Sequence, residues 1–449
     1  MALFFALSAL GLAAPMAVMT GSAVGSKKGV LMKGGQEVWE MSAKVDVVVL
    51  EKAGLVTEGK HVVTDFELLQ TPCNDAAPFS ENVMNEDSLF QNTLWLLASL
   101  QCSLEFPLAR AIVDYAKANL SKSYLQANPF GRVFDLYALD GHGFSGVVDN
   151  KVKIVIGNRL FARFKNLPFS SRVEDNMKRL ERQGKTALIA AVDGHVCAVL
   201  GLSDKLKHGT PAYIAYLRDA MGIDVFLMTG GNRCVANAIA DELSLSTNHV
   251  ISATNSADKV EFVRKLQSGG RRVAMVAGDL KNIPCLIQAD VGICVGANSD
   301  MVAEASDIVL VAGAVRDVIN ALHLSRKVYR RIKLNCIWAL LFNCLGMPLA
   351  AGLFHPKIHG GCSPALTVIA MALSFICVVL SSTLLQLYRV PDILEQVPTS
   401  SSTRSIPAFR KHERLIDNGD LTLDLLSNDY QIPTADIESE ATLSRQNSF

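Results

Sequence analysis

Short apolar runs, each bounded by polar or turn residues, alternate with helix-period segments along most of the chain. Val45–Leu50, Ala187–Val192, Val196–Leu202, Val225–Met228, Val273–Val276, Val291–Val295 and Ile308–Val311 are nearly continuous apolar runs of strand length. That is the pattern of strands covered on both faces. Segments 211–221, 234–244, 257–267 and 315–330 carry apolar residues at helical spacing, and the alternation predicts an α/β domain around a parallel sheet. The stretch 62–185 breaks the pattern, with helices expected near 85–104 and 107–120 and strands near 132–138 and 147–156. It is expected to be a separate α+β domain inserted after the first strand, so that 25–61 and 186–333 are the two parts of one domain.

Three longer apolar stretches, 1–24, 334–354 and 364–388, each approach the roughly 20 residues that a helix needs to cross a bilayer. The alternative for the first, a secretory signal peptide, lacks the basic start such peptides carry. Lys27, Lys28 and Lys33 follow the first stretch, and Arg326, Lys327, Arg330, Arg331 and Lys333 precede the second. Basic residues mark the cytosolic side, so 25–333 is expected in the cytosol, with only the turn around His355–Cys362 outside. The chain begins inside an apolar stretch, which raises the expectation of a truncation. From Pro391 the tail is Ser/Thr-rich with little apolar periodicity, and 391–449 is expected to be a disordered cytosolic tail.

Composition agrees with a membrane protein. Half of the 449 residues are hydrophobic and 19% are charged, with mean hydropathy +0.26. Lys+Arg and Asp+Glu balance at 43 each, which gives no argument for a nucleic-acid partner. The 10 cysteines are scattered without a Cys-x-x-Cys pair, the usage of a reduced compartment.

Four motifs, in order, carry a family resemblance. Glu51-Lys52-Ala53-Gly54-Leu55-Val56-Thr57-Glu58-Gly59-Lys60 resembles the phosphorylation segment of P-type ATPases, Asp-Lys-Thr-Gly-Thr-hydrophobic-Thr, followed in copper exporters by Glu-Gly-Lys. Met228-Thr229-Gly230-Gly231-Asn232 is similar to the family's Thr-Gly-Asp-Asn, and Ala274–Pro284 to its Met-Val-Gly-Asp-Gly-x-Asn-Asp-x-Pro hinge. Ala289–Ile293 and Glu304–Leu310 continue the match without a gap. The resemblance runs from the first apolar stretch to about Arg389 and is closest to the copper-transporting, heavy-metal (type IB) branch. It implies a HAD-like (Rossmannoid) phosphorylation domain, an inserted nucleotide-binding domain and transmembrane helices. It also implies ATP and Mg2+ as cofactors, Cu(+) as the transported ion, a copper chaperone as a candidate partner, and a Golgi-type or plasma membrane. In that family an aspartate attacks the γ-phosphate to form an acyl phosphate, while carboxylate-held magnesium and backbone donors stabilise the transferred group. The resemblance gives Lys52, Thr229, Gly230 and Lys259 the supporting roles.

The same alignment exposes losses. Glu51 stands at the nucleophile, and its extra methylene moves the carboxylate by roughly 1 Å, a displacement that can cost ~100-fold in rate. Gly278 and Asn282 occupy the two magnesium-side aspartate positions, Asp279 is shifted by one, and Gly231 replaces the acid of Thr-Gly-Asp. In the insertion, Gly141-His142-Gly143 matches a nucleotide-binding Gly-x-Gly loop, where missing side chains admit backbone to the ligand, and Gly157-Asn158 follows at the family's spacing. Phe106 takes the place of the family's histidine and Gln101 that of its acid, so weakened ATP binding is expected. Along the copper path, Ala6-Leu7-Ser8 falls on Cys-Pro-Cys, while Asn343, Met371 and Ser374 match the remaining path positions. No thiolate survives there, although Cu(I) favours soft ligands. The expectation is the carboxyl-terminal half of a copper-transporting P-type ATPase with its phosphorylation chemistry impaired. The rivals are an active transporter, a nucleotide-binding or regulatory membrane pseudo-ATPase, and a soluble phosphatase of the same fold.

Overall fold

The computed structural model describes residues 2–69, 86–104, 106–139, 141–168, 170–252, 256–296, 299–350 and 364–391. In chain order these form α1 (Ala2–Lys27), β1 (Val30–Met32), α2 (Gln36–Ala43), β2 (Val47–Glu51) and β3 (Thr57–Leu68). Then follow α3 (Glu86–Cys102), α4 (Pro107–Asn119), α5 (Lys122–Ala127), β4 (Val133–Leu139), β5 (Gly143–Val148), β6 (Val152–Gly157), α6 (Arg159–Phe164) and α7 (Ser171–Arg182). After β7 (Thr186–Val192) and β8 (His195–Leu206) come α8 (Thr210–Ala215), β9 (Asp224–Met228), α9 (Arg233–Glu242), β10 (Val250–Ile251), α10 (Ser256–Ser268) and β11 (Val273–Ala277). The last described elements are α11 (Ile283–Gln288), β12 (Val291–Val295), α12 (Asp300–Glu304), β13 (Ile308–Leu310), α13 (Val315–Ala350) and α14 (Pro364–Thr383).

The described residues divide into two units, one of 2–60 with 204–391 and one of 61–203. The first holds a seven-stranded sheet in the order β1-β13-β12-β11-β2-β9-β10, parallel except for β1, which pairs antiparallel with β13. All five residues of β2 are buried, because alternate side chains serve different layers. Val48 and Leu50 join a core with α8, α9 and α13, while Val47 and Val49 join one with α10 and α11. A strand sandwiched in this way must be apolar throughout, which is why its run stands out in the sequence. Glu51 is the first charged residue beyond it, delivered to the carboxyl end of a central strand, where parallel α/β sheets place their sites.

The second unit carries a six-stranded sheet, β3-β8-β7-β6-β5-β4, in which neighbouring strands from β4 to β8 pair antiparallel. The expected boundary at 185 is corrected by this topology. β7 and β8 pair in register from Thr186↔Leu202 and belong to the inserted unit, which runs to Ser203. Two apolar runs joined by Asp193-Gly194, both with positive φ, are a hairpin, and antiparallel partners suit the insertion rather than the parallel sheet.

Among the described residues, α1, α13 and α14 overlap the three expected spans. α1 and α13 pack around Ala17, Val24, Leu324, Val328 and Ile332, joined by Leu385 just after α14, with Trp39 of α2 fully buried among them. Among the described residues, no helix is long and apolar enough to cross a membrane. α13 carries basic residues as far as Lys333 and no charged residue from Leu334 to Ala350. Residues 351–354 of the second expected span and residues 392–449 of the tail lie outside the described residues.

Candidate functional site

Glu51 ends β2 and leads into a tight turn, with Ala53 at φ −69°, ψ 126° and Gly54 at φ 75°, ψ −13°. These are the dihedrals of a type II turn, which needs φ > 0 at its second central residue and therefore favours glycine there. Three groups from separate elements converge at its mouth. Lys259 of α10 lies 3.7 Å from the Glu51 carboxylate and donates to Asn282 Oδ1 at 2.9 Å. Glu51, Lys259 and Asn282 are all buried. Burial holds the Glu51 carboxyl above the ordinary carboxylate range, against the opposing pull of the Lys259 ammonium. Lys52 is pushed down by burial, partly offset by Asp204. Thr229 is buried at the end of β9, its hydroxyl oxygen accepting from the Gly231 N–H at 3.2 Å.

The donor set does not fit magnesium. The ion demands oxygen ligands at about 2.0–2.1 Å in octahedral geometry. Here an ammonium already holds the oxygen of Asn282 and faces the only carboxylate of the trio. Asp279 is exposed. A Cβ on Gly278 would lie 2.7 Å from the Val295 carbonyl oxygen, so a side chain there requires the backbone to move. Glu51 Oε2 and Asn282 Nδ2 are buried without a partner among the described residues.

Two residues that sequence reasoning missed secure the loop after Glu51. Asp204 accepts from the Thr57 hydroxyl at 2.6 Å and from the Gly59 N–H at 2.9 Å. Lys207 donates to the carbonyls of Gly54 and Gly313. Both lie at or just beyond the end of a long strand, far along the chain from the loop, and no local motif signals the contact.

In the inserted unit, Gly143 and Gly157 face each other across β5 and β6. Their missing side chains make room for protein, not only for ligand. A Cβ on Gly143 would lie 2.5 Å from Phe161 Cδ1, and one on Gly157 2.6 Å from the same atom. Gly141, at φ +73°, has open space beside it. Asn158 caps α6, its Oδ1 accepting from the Phe161 N–H at 3.0 Å, and its amide lies 3.2 Å from His142 Nδ1. Phe106 is 40% exposed and meets Phe144 edge-on at 5.6 Å, which leaves an aromatic surface beside the glycine loop. Gln101 is buried, with Nε2 unpartnered among the described residues.

Residues 45–290 match the haloacid dehalogenase-like hydrolase family. The chain belongs to this family. Among its relatives, the copper-transporting ATPase HMA4 of Oryza sativa subsp. japonica is 37% identical over 389 residues, covering 87% of this chain and 38% of that protein. Copper-transporting ATPase 2 of Mus musculus is 35% identical, covering 86% of this chain and 27% of that protein. The chain thus spans well under half the length of these homologues. The crystal structure of a zinc-transporting PIB-type ATPase in its E2·Pi state superposes with a TM-score of 0.62 at 24% identity, over 84% of this chain and 56% of that one. This haloacid dehalogenase-like chain is a homologue of copper-transporting P-type ATPases.

The structure gathers Glu51, Lys259 and Asn282, the side chains expected at the phosphorylation site. Of the expected copper-path residues, Ser374 is buried on α14 with its hydroxyl unpartnered among the described residues, while the side chains of Asn343 and Met371 lie outside the described set. A polar knot that the sequence did not announce ties the three helices together. Asn335 donates to the Ala13 carbonyl at 3.1 Å and to Ser382 at 3.0 Å, and accepts from Ser381 at 2.7 Å.

Proposed function

We propose that this chain corresponds to the carboxyl-terminal half of a copper-transporting P-type ATPase and has lost acyl-phosphate chemistry, acting as a nucleotide-binding, regulatory membrane protein. One observation carries the proposal: at the Glu51 site Asn282 offers only an amide oxygen already held by Lys259, and Gly278 has no room for a carboxylate side chain, so the donors that would hold magnesium are missing. A lysine cannot bridge phosphate oxygens as a divalent ion does. Glu51, disfavoured in its ionised form, is also a poor nucleophile.

The open Gly141 loop and exposed Phe106 ring support nucleotide binding, and buried Gln101 supports its weakening. Large apolar side chains exposed on α13 and α14, among them Ile337, Trp338, Leu340 and Leu380, support insertion of 1–24, 334–354 and 364–388 into lipid, with 25–333 in the cytosol. Copper as cargo rests on the homologues alone.

The test is an assay of the purified full chain with ATP, magnesium and Cu(+), together with an NMR titration of labelled protein. The expected result is no ATP-dependent phosphate release, and weak shifts at Gly141, Gly143, Gly157 and Asn158. Copper-stimulated turnover would contradict the proposal, and shifts confined to other surfaces would contradict the nucleotide assignment.

A further inference from the structure

At the end of its basic half, α13 meets the short helix α2 in an arrangement that neither nucleotide chemistry nor ion transport employs. The Tyr329 ring has two ammonium groups against it, Lys333 at 4.4 Å and Lys44 at 5.4 Å from its centroid. The Tyr329 hydroxyl donates to Glu40 at 3.1 Å, and Glu40 also pairs with Lys44. Tyr329 is thus held from both elements, and it positions the two cations. Lys327, Arg330 and Lys333 are exposed on this stretch of α13, and the acidic groups of α2 are only Glu37 and Glu40, so the region carries more positive than negative charge.

Beyond Lys333 the character of the surface changes at once. No charged residue occurs from Leu334 to Ala350, and Leu334, Ile337, Trp338, Leu340 and Leu341 expose large apolar side chains. Tyr329 and Lys333 are separated by one helical turn, about 6 Å along the axis. That matches the roughly 5–8 Å headgroup layer that flanks the hydrocarbon core on each side, where tyrosine is enriched.

We propose that the Lys44–Tyr329–Lys333 corner, with Lys327 and Arg330, is a binding surface for the anionic headgroups of membrane lipids. The inference rests on the membrane placement of α13 proposed above. Charge complementarity selects the occupant: fixed cations at the level of the headgroups meet phosphate and carboxylate of an anionic lipid, while zwitterionic headgroups offset their own phosphate. Each such basic residue contributes on the order of fivefold in association with an anionic surface.

The test uses the full chain reconstituted into phosphatidylcholine vesicles containing a minor fraction of phosphatidylserine. Flotation checks incorporation, and spin-labelled lipids compare the association of phosphatidylserine and phosphatidylcholine with the protein. The wild type is expected to incorporate into neutral and anionic vesicles alike, and to favour phosphatidylserine at least fivefold. The quadruple variant Lys44→Gln, Lys327→Gln, Arg330→Gln, Lys333→Gln should still incorporate but lose the preference. The charge-preserving Lys44→Arg, Lys327→Arg, Lys333→Arg should keep it, which separates loss of charge from loss of fold. Equal association of the two lipids with incorporated wild type would overturn the headgroup site alone. Failure to float with vesicles of either composition would overturn the membrane placement and the site with it.

Discussion

At Glu51 a single methylene matters less than the company it keeps. A carboxyl held above its ordinary range by burial binds its proton more tightly in the folded chain than in the unfolded one. Stability is then lost as pH rises from the ordinary carboxyl value, about 4.5, through the raised folded value. Urea unfolding across that window should show the loss in wild type, and Glu51→Gln should flatten it. An unchanged slope in the variant would show that Glu51 does not carry it. Gly278 defines the limits of repair. Gly278→Asp drives its Cβ against the Val295 carbonyl and is expected to cost about 1–3 kcal/mol. Gly231→Asp meets only the Thr229 hydroxyl at 3.4 Å and should change stability by less than about 0.5 kcal/mol. Equal unfolding midpoints for the two variants would contradict the close contact at Gly278.

Among the elements, the loop from Lys52 to Gly59 depends on Asp204. Asp204→Ala leaves the Gly59 N–H without its acceptor and the Thr57 hydroxyl with only the Lys52 carbonyl, at a cost of about 1–3 kcal/mol. Hydrogen exchange at Gly59 should accelerate, and protection equal to wild type would sink that role. Such contacts explain what could be read in the chain and what could not. The strands β2, β9, β11, β12 and β13 were legible because burial on both faces makes each an uninterrupted apolar run. β3 was not: its residues alternate between charged and apolar, and the register comes from β8, more than a hundred residues away. The placement of β7 and β8 in the parallel domain failed for a related reason, since an apolar run does not say which sheet receives it. The candidate site was legible where residues act as motifs, at Glu51, Thr229, Lys259 and Asn282. The sequence alone did not reveal that Lys259 would hold the Asn282 side chain, nor the Phe161 ring filling the space beside Gly143 and Gly157.

For the whole molecule, the proposed topology sets 25–333 in the cytosol on the strength of the basic residues around α1 and α13. An engineered cysteine near Lys207 should stay unlabelled by an impermeant reagent in intact right-side-out vesicles and react after permeabilisation. Labelling of intact vesicles would reverse the orientation. The central claim concerns the phosphorylation chemistry of the intact chain, and acid-stable, hydroxylamine-sensitive incorporation of ³²P from labelled ATP tests it most directly. No incorporation is predicted for the wild type, and none for Glu51→Asp alone, since Gly278 and Asn282 still supply no carboxylate. Incorporation by the wild type that Glu51→Ala abolishes, or full recovery by Glu51→Asp alone, would contradict the account.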